Sequence, residues 1–201
     1  MYHVNCMQAS LRPDLGVYME LGNEAWHGLF FGGQWAQQRG AEQGLSQLCW
    51  YAKRSGEMAV IARQALGARL TVVAGTQASN WDAMSQLLAC EGINHTDAFG
   101  VGPYFNGYNL LPEPDRDLEL VLQSYETEVN TSIQWVLEHK RALRGTKFKL
   151  FSYETGPAGE GDGSPSDLAI QAHRNPRMKQ ILSRYLEVWP PKMDDLSGLG
   201  L

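Results

Sequence analysis

Two glutamates in this chain each close a short, strand-like run. Glu24 ends Val17-Tyr18-Met19-Glu20-Leu21-Gly22-Asn23-Glu24, and Glu154 ends Lys149-Leu150-Phe151-Ser152-Tyr153-Glu154. Carboxyls at strand ends carry chemistry when they come in pairs. Cleavage of a glycosidic bond needs one carboxyl to pass a proton to the leaving oxygen and another to stabilise the cation-like sugar carbon from the opposite side. In a parallel barrel the C-terminal strand ends converge on one mouth, so two residues far apart in sequence can face each other there. Other chemistries lack their residues. There is no G-x-S-x-G elbow, no phosphate-binding P-loop and no G-x-G-x-x-G turn. The five histidines (His3, His27, His95, His139 and His173) have no H-E-x-x-H or other ligand spacing, so neither a metal nor a cofactor is expected.

The elements that must position these glutamates alternate. Strands are expected at 17–22, 70–74, 98–104 and 149–154, with helices at 46–66 and 82–90 between the first three. A third helix follows from Leu118, Val121, Leu122, Tyr125, Val129, Ile133, Val136 and Leu137, which recur at three- and four-residue steps. A fourth follows from Met178, Ile181, Leu182, Tyr185, Leu186 and Trp189, and Pro190-Pro191 stops it. Strand and helix in alternation imply a parallel sheet with right-handed crossovers. Strand parity favours a barrel over an open sheet. Ala98, Gly100, Gly102 and Tyr104 share one face of their strand, and Leu150, Ser152 and Glu154 share one face of theirs. The inner face is read as small or polar, with Ala98, Gly100 and Ser152 on it, and the bulky residues turn outward toward helices. The Gly-rich segment 156–167 reads as a loop at the active-site mouth.

Composition sets the remaining bounds. With 43% hydrophobic and 19% charged residues in 201, the chain suits a single globular domain over 1–201 with a real core. A net charge of −5 disfavours nucleic acid, whose affinity rests on Lys and Arg neutralising phosphates. No run approaches the ~18 apolar residues of a membrane span, so no membrane partner is expected. Met-Tyr-His-Val-Asn-Cys has neither the basic nor the apolar region of a signal peptide, and the compartment stays open. Cys6, Cys49 and Cys90 show no C-x-x-C spacing and read as buried free thiols.

VYMELGNEAWHGLF resembles the fourth-strand signature of clan A glycoside hydrolases, where Asn-Glu closes the strand. KLFSYETG resembles the seventh-strand signature that carries the nucleophile. DAFGVGPYFNGY, between them, resembles the sixth strand, whose Tyr supports that nucleophile. The closest likeness is to poorly characterised cellulose-binding-like barrel proteins with an E-x-x-N-E-x-W motif. The resemblance implies a partial TIM (β/α)₈ barrel, strands 4 to 7 with their helices, because a whole barrel takes about 250 residues. It further implies a retaining glycoside hydrolase acting on an oligosaccharide or polysaccharide. Glu24 resembles the general acid/base, with a raised pKa, and Glu154 the nucleophile. Asn23 resembles the residue that hydrogen-bonds the sugar 2-hydroxyl, and Tyr104 the phenol that donates to the nucleophile. Where that family often has His two residues before this Tyr, the chain has Gly102, and strands that would supply an Arg and a further aromatic have no counterpart. The alternatives are a non-catalytic carbohydrate-binding barrel and an inactive truncated fragment. Trp26, Trp35, Trp81, Phe105 and Tyr108 follow strand ends and are candidates for stacking on sugar rings, with Trp26 and Trp81 the favoured two. Trp50, Trp135 and Trp189 are expected in the core. Glu20 is read as structural and His27 as a surface residue.

Overall fold

The computed structural model of the chain describes residues 9–105, 117–158 and 167–188. Its elements run β1 (Val17–Glu20), α1 (Phe31–Glu42), α2 (Gln47–Leu66), β2 (Leu70–Thr76), α3 (Trp81–Leu88), β3 (Ala98–Val101), α4 (Leu118–Ala142), β4 (Lys149–Ser152), α5 (Asp167–Arg174) and α6 (Pro176–Val188). Three of the helices start where the sequence supplies a side-chain cap. Ser46 accepts from Cys49 N–H ahead of α2, Asn80 from Ala83 N–H ahead of α3, and Asp117 from Leu120 N–H ahead of α4. Helix α4 also carries Glu119 in its first turn and His139, Lys140 and Arg141 in its last, which complements its dipole at both ends.

The four strands form one sheet in the order β1-β2-β3-β4, and every neighbouring pair is parallel. Strand order therefore follows chain order, without the reversal that defines a doubly wound sheet. The result is a mixed α/β unit, a four-stranded parallel sheet alternating with helices, and it is compatible with part of an α/β barrel. No strand among the described residues covers the outer edge of β1 or of β4.

One face of the sheet is covered by helices. Ala74, Phe99, Val101 and Leu150 pack there against Tyr51, Met84, Leu87, Val121, Tyr125, Val129, Val136, Ile181 and Tyr185 in a continuous core. The opposite face carries only a small cluster of Val73, Ala98 and Phe151, with Tyr153 packed against it. This second face is concave. A flat sheet would hold β1 and β4 about 14 Å apart, three strand spacings, yet the Tyr18 and Phe151 rings meet across it with centroids 5.9 Å apart.

Several expectations need correction. The register pairs Gly100 with Phe151 and Val101 with Ser152, so Phe151 and Tyr153 lie on the concave face with Ala98 and Gly100, and Ser152 does not. The bulk of β4 fits beside the small residues of β3. A Cβ on Gly100 would come within 2.9 Å of Tyr153 Cδ1. Cys49 and Cys90 are not free thiols but a disulfide, with Cα atoms 4.9 Å apart. Packing of the first turn of α2 against the end of α3 brings them together, which their separation in sequence could not show. Helices α1 and α5 were not expected. Strand β2 is longer than read, and the other three strands are shorter. Cys6, His3, Tyr108, Trp189 and most of the 156–167 loop lie outside the described residues.

Candidate active site

Strand β1 ends at Glu20, four residues before Glu24, so parity does not carry the chain to the acid. An irregular turn does. Gly22 has φ +72° and Glu24 has φ +45°, the left-handed region that L-residues enter at a cost of about 1–2 kcal/mol. Surrounding bonds hold the turn in that shape. His27 N–H donates to Glu24 O at 2.8 Å, and the Gln47 amide from the start of α2 donates to Ala25 O at 3.0 Å. Ala25 itself is buried. Among the described residues Glu24 is the one non-glycine with positive φ.

Glu154 follows β4, where the Ser152 hydroxyl donates to its backbone carbonyl at 2.7 Å. Its carboxylate accepts a hydrogen bond from the Tyr104 hydroxyl, which reaches it from the segment after β3. Burial, then the Glu154 charge, then that hydrogen bond push the Tyr104 phenol up to about 12. Gly102 makes the approach feasible. A Cβ there would lie 3.3 Å from both Cγ and Oε1 of Glu154 and 3.5 Å from the Tyr104 ring. Gly102 thus leaves room for the carboxylate.

The carboxyls act on one another although they come from opposite edges of the sheet. Burial raises the Glu24 pKa above the ordinary carboxylate value, the Glu154 charge raises it further, and His27 opposes both. Tyr153, between them on the concave face, is also raised, chiefly by burial and then by Glu24, Glu20 and Glu154. Beside Glu24 opens a cavity of about 400 Å³, walled by Trp26, His27, Phe30, Tyr104, Trp135 and Tyr153 among others. A pocket of this size takes a small ligand.

The expected site residues distribute unevenly. Glu24, Trp26 and Tyr104 line the cavity, and Glu154 is joined to it through Tyr104. Asn23 is exposed beside Glu24 and Trp81 opens α3, but neither lines the cavity wall. Phe105 is fully buried against Tyr125 and Tyr185 and offers no ring to a ligand. Trp35 packs edge-on against buried Trp50, with centroids 4.6 Å apart. Two further residues reach the cavity. His27 lines the wall, its Nδ1 accepting from Leu29 N–H, and Trp135, half-buried on the core, also faces the cavity. A helical Trp in an amphipathic stripe carries no signal that separates these roles. Among the described residues there is no metal-binding group of His, Cys, Asp or Glu, and no helix long and apolar enough to cross a membrane.

No protein-family model, curated protein or solved structure matches the chain.

Proposed function

We propose that the chain is a four-unit arc, strands 4 to 7, of a (β/α)₈ barrel, and that its mouth hydrolyses glycosidic bonds with retention. One observation carries the reading: a hydrogen-bonded Tyr104–Glu154 carboxylate acts electrostatically on a Glu24 whose pKa is raised by burial and by Glu154. An acid poised above its usual range beside a hydrogen-bonded carboxylate is the division of labour that retaining hydrolysis requires. The concave face and the sheet order support the barrel, and the three strand-end motifs support the sugar chemistry.

In the first step Glu24 gives its proton to the glycosidic oxygen as the C–O bond breaks, and Glu154 bonds to the anomeric carbon from the other side. In the second, the Glu24 carboxylate takes a proton from water, whose oxygen displaces Glu154 and restores both groups. The Tyr104 hydroxyl holds the nucleophile in place and Trp26 supplies a ring for stacking, while the 2-hydroxyl role of Asn23, which stands beside Glu24 outside the cavity wall, rests on the strand-end motif alone. An oligosaccharide or polysaccharide is the substrate class.

A panel of aryl glycosides with good and poor leaving groups tests this. Glu154→Gln loses turnover on all of them, because the amide is a poor nucleophile. Glu24→Gln keeps the first step only on the good leaving groups, which need little protonation. NMR of the first product shows the starting anomeric configuration. Equal losses for both variants on every substrate would contradict the assignment. Saccharide binding without turnover in the unsubstituted chain would mark a binding barrel instead.

A further inference from the structure

A third carboxyl stands on the same concave face, and the proposed reaction does not use it. Glu20 is the last residue of β1 and pairs with Val73 of β2. Its Oε1 occupies the space over Gly75, where a Cβ would lie only 2.1 Å away. Tyr51, fully buried in α2, reaches the same spot beyond the end of β1. Its hydroxyl accepts from Gly75 N–H at 2.8 Å and donates to the Glu20 carboxylate. The Trp26 indole arrives from the other direction. Its Nε1 lies 3.6 Å from the Gly75 Cβ position, buried and without a hydrogen-bond partner.

The groups facing Glu20 are all acidic or neutral. Glu24 comes from the turn after β1, Tyr51 from α2, Tyr153 from the end of β4 and Glu154 just beyond it, while β2 offers only the Gly75 backbone. No basic side chain among the described residues pairs with it. Three neighbouring carboxyls, with His27 acting on Glu24 alone, do not all stay ionised near neutrality. Burial, then the charges of Glu154 and Glu24, raise Glu20 to about 7, against the opposing pull of the Tyr51 bond.

We propose that Glu20 is a positioning residue of this site, a carboxyl that keeps a proton beneath the Glu24–Glu154 pair and, on losing it, draws the Trp26 indole toward the floor of the cavity. The proposal rests on the reading of Glu24 and Glu154 as the reacting pair. An ionised Glu20 is a stronger acceptor for the orphan indole N–H than the protonated acid, so the pull on Trp26, which forms part of the cavity wall, is greatest in that state. The same ionisation adds a negative charge beside the nucleophile.

The test is the ¹⁵N–¹H signal of the Trp26 indole, assigned with Trp26→Phe and followed from about pH 5 to pH 9. It titrates with a midpoint of about 7, the value set by Glu20. In Glu20→Gln, which keeps the shape of the protonated carboxyl, the titration disappears. In Tyr51→Phe, which removes a bond to the carboxylate, the midpoint moves higher. An indole signal that does not titrate, or that titrates unchanged in Glu20→Gln, overturns the proposal. In parallel, kcat/KM on an aryl glycoside falls through the same midpoint, and Glu20→Gln loses that limb. If no variant hydrolyses any aryl glycoside, the reading of the reacting pair fails, while the indole titration still decides the role of Glu20.

Discussion

On the convex face of the sheet, Phe99, Val101 and Leu150 lie under helices and are completely buried. On the concave face the same strands present Ala98, Gly100, Phe151 and Tyr153, with Glu20 and Tyr18 from β1. The first face is large, apolar and closed. The second combines small residues with aromatic and acidic ones, and Tyr18 remains 39% exposed on it. Stability is therefore concentrated on one side and ionisable chemistry on the other. Perturbations of the two faces should be separable.

Truncation on the helix-covered side gives the largest effect. Phe99→Ala removes a ring packed edge-on against Phe148 and should cost about 3–5 kcal/mol in urea denaturation. A loss below about 1 kcal/mol would mean that the convex core is not where the fold is held. Next comes the Cys49–Cys90 bridge, which ties α2 to the end of α3 behind the site. Its reduction lowers stability by about 2–4 kcal/mol. Free-thiol titration of the unreduced, denatured protein should leave both cysteines unlabelled, and labelling of either would remove the cross-link from the account.

A third effect belongs to the concave face and is set by pH. Glu20 is raised from 4.5 to about 7 in the folded chain, so the folded state holds a proton that the unfolded chain has released. That contribution is complete below pH 4.5 and is lost as pH rises toward about 7. It should amount to on the order of 2 kcal/mol, allowing for the partial exposure of Glu20. Relative to the unsubstituted chain, Glu20→Gln should gain stability over this window, and parallel stability curves for the two would refute the raised value. The smallest effect is expected from Tyr18→Ala. Its ring touches Phe151 across an open face, and the loss should stay near 1 kcal/mol in the same denaturation assay.

The convex side was also the more legible in sequence. The stripe from Leu118 to Leu137 marked α4 because a helix buried on one face repeats its apolar residues every three or four positions. The four strands were visible from their branched and aromatic runs. Helix α1 was not, because Gly32, Gly33 and Gly40 interrupt it and no apolar stripe runs along it. On the concave face the two glutamates and Tyr104 were found through strand-end motifs, but how they are placed was not. The face of β4 depends on its register against Gly100, and the backbone of Glu24 depends on Gln47 holding Ala25 from another helix. Tyr51 reads as an ordinary core tyrosine. Its role over Gly75 exists only because β1 stops at Glu20, and no local pattern encodes where a strand stops relative to its neighbour.

The central claim is that Glu154 is the nucleophile opposite an acid at Glu24. Incubation with a panel of 2-deoxy-2-fluoroglycosides bearing good leaving groups, followed by peptide mass spectrometry, addresses it directly, because such sugars form the covalent ester faster than water removes it. The account predicts a single glycosyl adduct on the peptide containing Glu154, absent in Glu154→Gln and still formed in Glu24→Gln. An adduct on Glu24 or Glu20, or labelling that persists in Glu154→Gln, would contradict it.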